Sequence, residues 1–140
     1  MPTRWIDQGA EEGIVVVEVP YRYLAGITEV ALKNHFAAKT TCRKMLTNTY
    51  DAVDLVQEKA KVQAWLPDEV REFYNLDKNE IIAMHYPVAA YPTKVNSLNL
   101  DKTPFYQGQL IGVKGQYLLF QDGTVFNVRS YEGYVVQIAI

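Results

Sequence analysis

The dipeptide Asp122-Gly123 constrains this chain more than any other feature of its sequence. Residues 117–121 before it and residues 124–129 after it are strand-like runs. An Asp-Gly pair between two such runs predicts a hairpin with a two-residue type I′ turn, whose central positions both need positive φ. In that register Gln121 faces Thr124, Leu119 faces Phe126 and Tyr117 faces Val128. The last two pairs share one face and are expected to be core. Five of the eight glycines (Gly108, Gly112, Gly115, Gly123, Gly133) fall in this part of the chain, where a small curled sheet needs places to bend. Residues 106–140 are thus expected to form four or five short strands curling into a barrel-like unit.

Upstream the pattern changes. Thr3 can cap a short helix that Gly9 ends. Residues 14–19, Ile-Val-Val-Val-Glu-Val, read as a strand covered on both faces and closed by Pro20. Between residues 23 and 38 the spacing predicts a helix, with Leu24, Ile27, Ala31 and Ala38 on one face and Leu32 and Phe36 widening the stripe. Asn48 or Thr49 can cap a second helix through residue 64, with Asp51 near its positive end. Pro67-Asp68-Glu69 reads as the first turn of another. Residues 81–86 are strand-like, and Pro87, Pro92 and Pro104 then punctuate an extended stretch. This divides the chain into residues 1–49, a helical middle at 50–80 and a β-rich part at 81–140.

Composition narrows the function classes. A chain of 140 residues that is 49% hydrophobic can bury a core of its own. Its 14 basic and 16 acidic side chains give a net charge of −2, which argues against a polybasic tail and against intrinsic disorder. One cysteine excludes an internal disulfide and a four-cysteine zinc site. The longest charge-free stretch, residues 81–93, is broken by two prolines and falls short of the ~20 apolar residues of a membrane span. No apolar leader core follows Met1. A cytoplasmic protein with no membrane partner is expected.

Few residues carry chemistry by pattern. Gly108, Gly112 and Gly115 lack the order of a phosphate-binding loop, and strand bends explain them better. His35 and Cys42 are too few for zinc, and His35 projects into the apolar stripe, as a hydrogen-bonded core histidine would. Neither Ser97 nor Ser130 sits in a nucleophile elbow. Lys33, Lys39, Arg43 and Lys44 lie in a stretch without acids. Such a basic helix end can contact nucleic-acid phosphates, or it can simply complement the helix dipole. Lys114 and Arg129 stand among Tyr106, Tyr117, Phe120, Phe126, Tyr131 and Tyr134. Single-strand binding uses such a mixture, but a small sheet also needs aromatic residues as core. Glu29 lies at the edge of the apolar stripe, where a surface pair with Lys33 is the simplest reading.

Three stretches taken together resemble a known family. They are residues 2–10 (Pro-Thr-Arg-Trp-Ile-Asp-Gln-Gly-Ala), residues 29–33 running on to 39–46, and residues 114–120 continuing to 127–129. In this order, with Tyr91-Pro92-Thr93-Lys94-Val95, they resemble an uncharacterised bacterial family, domain of unknown function 2797. Its members begin with a cysteine-rich segment and two further strands ahead of the match to Pro2. Those strands with the helices that follow look like the GIY-YIG nuclease fold. There, strand tyrosines help activate water, a helix arginine offsets phosphate charge and a glutamate holds a divalent metal. The resemblance places Arg4 at the arginine position and Glu29 at the glutamate and metal position. It also implies departures. Thr40-Thr41-Cys42 stands where the related family has threonine-asparagine-tryptophan, and the tyrosine strands fall ahead of Pro2, as in a truncated, non-catalytic member.

The expected fold is therefore α+β: an N-terminal αβα remnant of a GIY-YIG-like domain, a helical middle, and a small antiparallel barrel-like β unit. The expected function is nucleic-acid association through Lys33, Lys39, Arg43 and Lys44, with no cofactor held by this chain alone. One alternative is a protein-interaction scaffold that self-associates through the unpaired edge of the strand at residues 14–19. The other is a metal-dependent nuclease using Arg4 and Glu29.

Overall fold

The computed structural model describes residues 2–37 and 41–140 and joins five α-helices to two β-sheets in a mixed α+β architecture. In chain order the elements are α1 (Pro2–Asp7), β1 (Glu12–Ile14), α2 (Arg22–Leu32), α3 (Cys42–Leu46), α4 (Leu55–Val62), α5 (Asp68–Arg71), β2 (Ile81–Ala83), β3 (Asn96–Ser97), β4 (Leu110–Lys114), β5 (Tyr117–Phe120) and β6 (Thr124–Asn127). They form two compact units that interleave along the chain. The first takes residues 1–10, 41–50 and 85–140, the second residues 11–40 and 51–84.

In the first unit the sheet order is β3-β6-β5-β4, parallel between β3 and β6 and antiparallel elsewhere. Its core joins Met45 and Leu46 of α3 to Tyr117 and Leu119 of β5 and Val125 of β6, with Tyr91, Val95 and Ile111 packed around them. The sheet is open, with β3 and β4 at its edges. No closed barrel forms among the described residues, because β3 is only two residues long and residues 132–140 enter no strand.

The β5–β6 hairpin is present but one residue out of the expected register. Tyr117 faces Asn127, Leu118 faces Phe126 and Leu119 faces Val125. The loop therefore has three residues, Gln121, Asp122 and Gly123. Only Gly123 takes positive φ, at +85°. The Asp122 carboxylate accepts from the Thr124 amide at 2.9 Å, and the Gly123 amide donates to the Phe120 carbonyl at 3.0 Å. These bonds favour an ordinary turn followed by a left-handed glycine, the three-residue hairpin, over the primed turn. The slip changes the buried face. Val125 is core, whereas Val128 is 49% exposed.

In the second unit β1 and β2 pair antiparallel, Gly13 opposite Ile82. The core is Val62, Leu66 and Val70, against Val16, Val17 and Val19 and against Leu24, Ile27 and Leu32 of α2. The strand expected at 14–19 is thus shorter and earlier. Past Ile14 the valines pack on helices, and Val17 keeps a single bridge to Tyr74. Helix α2 stops at Leu32, so the helical projection no longer governs His35. Its ring is exposed and stacks on Trp65, centroids 3.9 Å apart. The second helix begins at Leu55 rather than after Thr49, because Asp54 caps it by accepting from the Val56 and Gln57 amides at 3.0 and 3.1 Å. Buried Lys59 donates to the Asn75 carbonyl at 2.7 Å and to the Lys78 carbonyl, and lies 5.6 Å from the centre of the Tyr74 ring. Burial first, then the Lys78 charge, lowers its pKa, and Asp77 partly offsets this.

Candidate nucleic-acid interface

Helix α1 ends because Gly9 adopts a left-handed conformation, φ +70°. The Gly9 amide donates to the Ile6 carbonyl at 2.9 Å and the Ala10 amide to the Trp5 carbonyl at 3.0 Å. This pair of bonds is the Schellman closure. The turn lies directly on α3: a Cβ at Gly9 would collide with Met45 Sδ and stand 3.5 Å from Lys114 Cε. Five-residue α3 is short enough for its two sides to be read from adjacent residues. Met45 and Leu46 are buried, and Arg43 and Lys44 are exposed. Arg4 is likewise exposed on α1, next to Trp5 at 47% exposure. Two short helices of one unit thus carry exposed Arg4, Arg43 and Lys44, with the turn after α1 resting on Met45 of α3.

A buried lysine supports this arrangement. Lys114 is 0% exposed. Its Nζ lies 3.3 Å from Tyr91 Oη and 4.8 and 5.4 Å from the ring centres of Tyr91 and Tyr86. Tyr86 Oη in turn donates to the Ala10 carbonyl at 2.7 Å and reaches the Ile6 carbonyl at 3.3 Å. Lysine, tyrosine pair and α1 terminus form one packed assembly that fixes the helix carrying Arg4. At the β4–β5 turn, a Cβ on Gly115 would collide with the Asp7 carbonyl, so the helix end also rests against the sheet. Arg129 stands 3.8 Å from Asp7, both largely exposed. A shallow cleft lies beside this pair, lined by Val113, Leu118 and Val128 with Gln116. The Tyr117 hydroxyl is pushed above the usual tyrosine range by burial and then by Cys42.

The remaining expected site residues belong to the second unit or lie outside the description. Glu29 is exposed on α2, and Lys33 caps the end of that helix. Lys39 lies outside the described residues. The acid-free basic stretch is therefore not one helix end: Lys33 belongs to α2, Arg43 and Lys44 to α3. Among the described residues, no group of three or more His, Cys, Asp or Glu comes together as a metal site. A magnesium ion can be held by one carboxylate with waters and a substrate phosphate, and Glu29 offers one such carboxylate. Sequence reasoning noticed Lys114 among the aromatics but not its burial. The available signal was its alternation with Gly112, which places both on the inner face of β4.

Charge divides with the units. The first carries seven basic and four acidic side chains, a net +3, and the second twelve acidic and seven basic, a net −5. Among the described residues, no helix is long and apolar enough to cross a membrane. A family model described as "Protein of unknown function (DUF2797)" matches residues 1–136. No curated protein and no solved structure matches the chain.

Proposed function

Because the chain belongs to the DUF2797 family, whose description assigns no activity, its function has to be read from its own residues, and we propose that it associates with nucleic acid through the basic first unit. The observation that carries this reading is the division of charge, +3 on one unit and −5 on the other, with Arg4, Arg43 and Lys44 exposed on α1 and α3 of the former. Phosphate contacts of this kind supply sequence-independent affinity. The Asp7 carboxylate beside Arg129 keeps that flank less basic. Association without strand cleavage is the activity proposed. The resemblance to GIY-YIG nucleases supports a phosphate role for Arg4, and Thr41 and Cys42 stand where the related family has asparagine and tryptophan.

Three phosphate contacts give a salt slope of about −2.7 on duplex and about −2.1 on single strands. A fourfold rise in salt should then weaken duplex binding about 40-fold and single-strand binding about 20-fold. Fluorescence anisotropy with labelled DNA and RNA at two salt concentrations reads this directly. Binding weaker than roughly 10⁻⁴ M at low salt, or binding indifferent to salt, would overturn the proposal. The same samples with magnesium or manganese report on the rival reading. Cleavage abolished by Glu29→Ala would replace association with nuclease activity.

A further inference from the structure

We infer that the chain self-associates by donating residues 134–140 of one copy as an added strand along β2 of a second copy. The donated segment reads Tyr-Val-Val-Gln-Ile-Ala-Ile, with no charge, no proline and no glycine. Such composition favours strand pairing. In the structure it enters no strand: Val135 and Ile140 are fully exposed and Ile138 is 81% exposed. Apolar exposure of this extent along one extended segment marks a contact surface.

The acceptor is equally specific. All three residues of β2 are exposed, with Ile81 at 39% and Ile82 at 46%. The strand pairs on one side with β1, and no other described strand pairs with it. Protein edges are normally blunted by lysine, proline or a bulge, and Ile-Ile-Ala has none of these. The self-associating edge is thus assigned to β2 rather than to residues 14–19.

Charge selects the occupant. The donated segment belongs to the +3 unit and β2 to the −5 unit. Pairing two β2 edges would bring two acidic units together, and pairing two donated segments would oppose two basic ones. Only the heterologous contact, segment to edge, joins opposite charges, and a second copy supplies it. Backbone hydrogen bonds to the open edge would give the affinity, and alternate side chains of the segment the specificity.

Light scattering on the intact chain tests the assembly, with the wild type expected above monomer mass. Ile82→Lys on the edge and Ile138→Lys on the segment should each return it to monomer. Circular dichroism confirms that each variant is folded, and Ile138 is too exposed for its loss to unfold the chain. In a Cys42→Ser background, mixing an Ile82→Cys chain with an Ile138→Cys chain should yield a disulfide-linked pair of the two. A wild type that stays monomeric to its solubility limit would overturn the inference, as would an oligomer unaffected by both lysine variants. So would an Ile82→Cys/Ile138→Cys double variant that crosslinks only within one chain.

Discussion

Lys114 and Lys59 are both buried lysines, and they solve the same problem differently. Lys59 spends its ammonium on two carbonyl groups in the second unit. Lys114 lies between two tyrosine rings in the first, an interaction worth about 0.5–2 kcal/mol. Its stem also fills space beside Gly9. Lys114→Ala should therefore cost about 2 kcal/mol or more, as truncating a buried Met does, measured by urea unfolding. Gly9→Ala should cost about 1–2 kcal/mol from the left-handed backbone alone, with the collision against Met45 added. A change under a few tenths would mean that the turn relaxes freely.

Ionisable side chains also predict how stability responds to alkali. Burial holds Tyr74, Tyr106 and Tyr117 protonated above the usual value, and Tyr134 is raised chiefly by its hydrogen bond to Asp101. A raised folded-state pKa means that the folded chain keeps the proton longer than the unfolded one. The associated stability is complete below about pH 10 and is lost as pH rises beyond it. Lys59 acts in the opposite sense: its lowered pKa makes stability grow as pH rises toward about 10.5. Urea unfolding from about pH 10.5 upward, where Lys59 no longer adds a rise, alongside tyrosinate absorbance, should show stability falling as these tyrosines ionise. Stability rising through that range would contradict the assignment.

Elements were legible where a local bond decides them and illegible where competing bonds decide. Gly9 was readable as the end of α1, because glycine after a short helical run is the usual left-handed closing residue. The apolar stripe of α2 was readable through Leu24, Ile27 and Leu32. The start of α4 was not. Asn48, a candidate cap, instead takes φ +55° after α3, where the Thr49 amide donates to the Lys44 carbonyl at 2.9 Å. Asp54 then caps α4, and Asp54→Ala should cost about 1 kcal/mol in thermal or urea unfolding. The β5–β6 hairpin was legible as a hairpin but not in register, because Asp122 offers its carboxylate to Thr124 and removes the need for a second positive φ. The burial of Lys114 depends on Tyr86 and Tyr91, about 25 residues away in sequence, and no local pattern announces such a contact.

At the scale of the whole molecule, a net charge of −2 conceals two units of opposite sign, because three separate chain segments build the basic one. Reading the sequence in zones places the basic residues on one helix end. The chain's path between units divides that stretch, leaving Lys33 with α2 and Arg43 and Lys44 with α3. The family match spans both units, residues 1–136. The proposed interface belongs to the first, where the Schellman turn, the Lys114 assembly and α3 hold three cations on short helices. The most direct measurement is an NMR titration of the labelled chain with a short oligonucleotide at low salt. Amide shifts should concentrate at residues 4–10 and 42–49, extend to Arg129 and fade as salt is added. Shifts concentrated instead in residues 11–37 and 51–84, or no shifts at all, would contradict the assignment of nucleic-acid association to the basic unit.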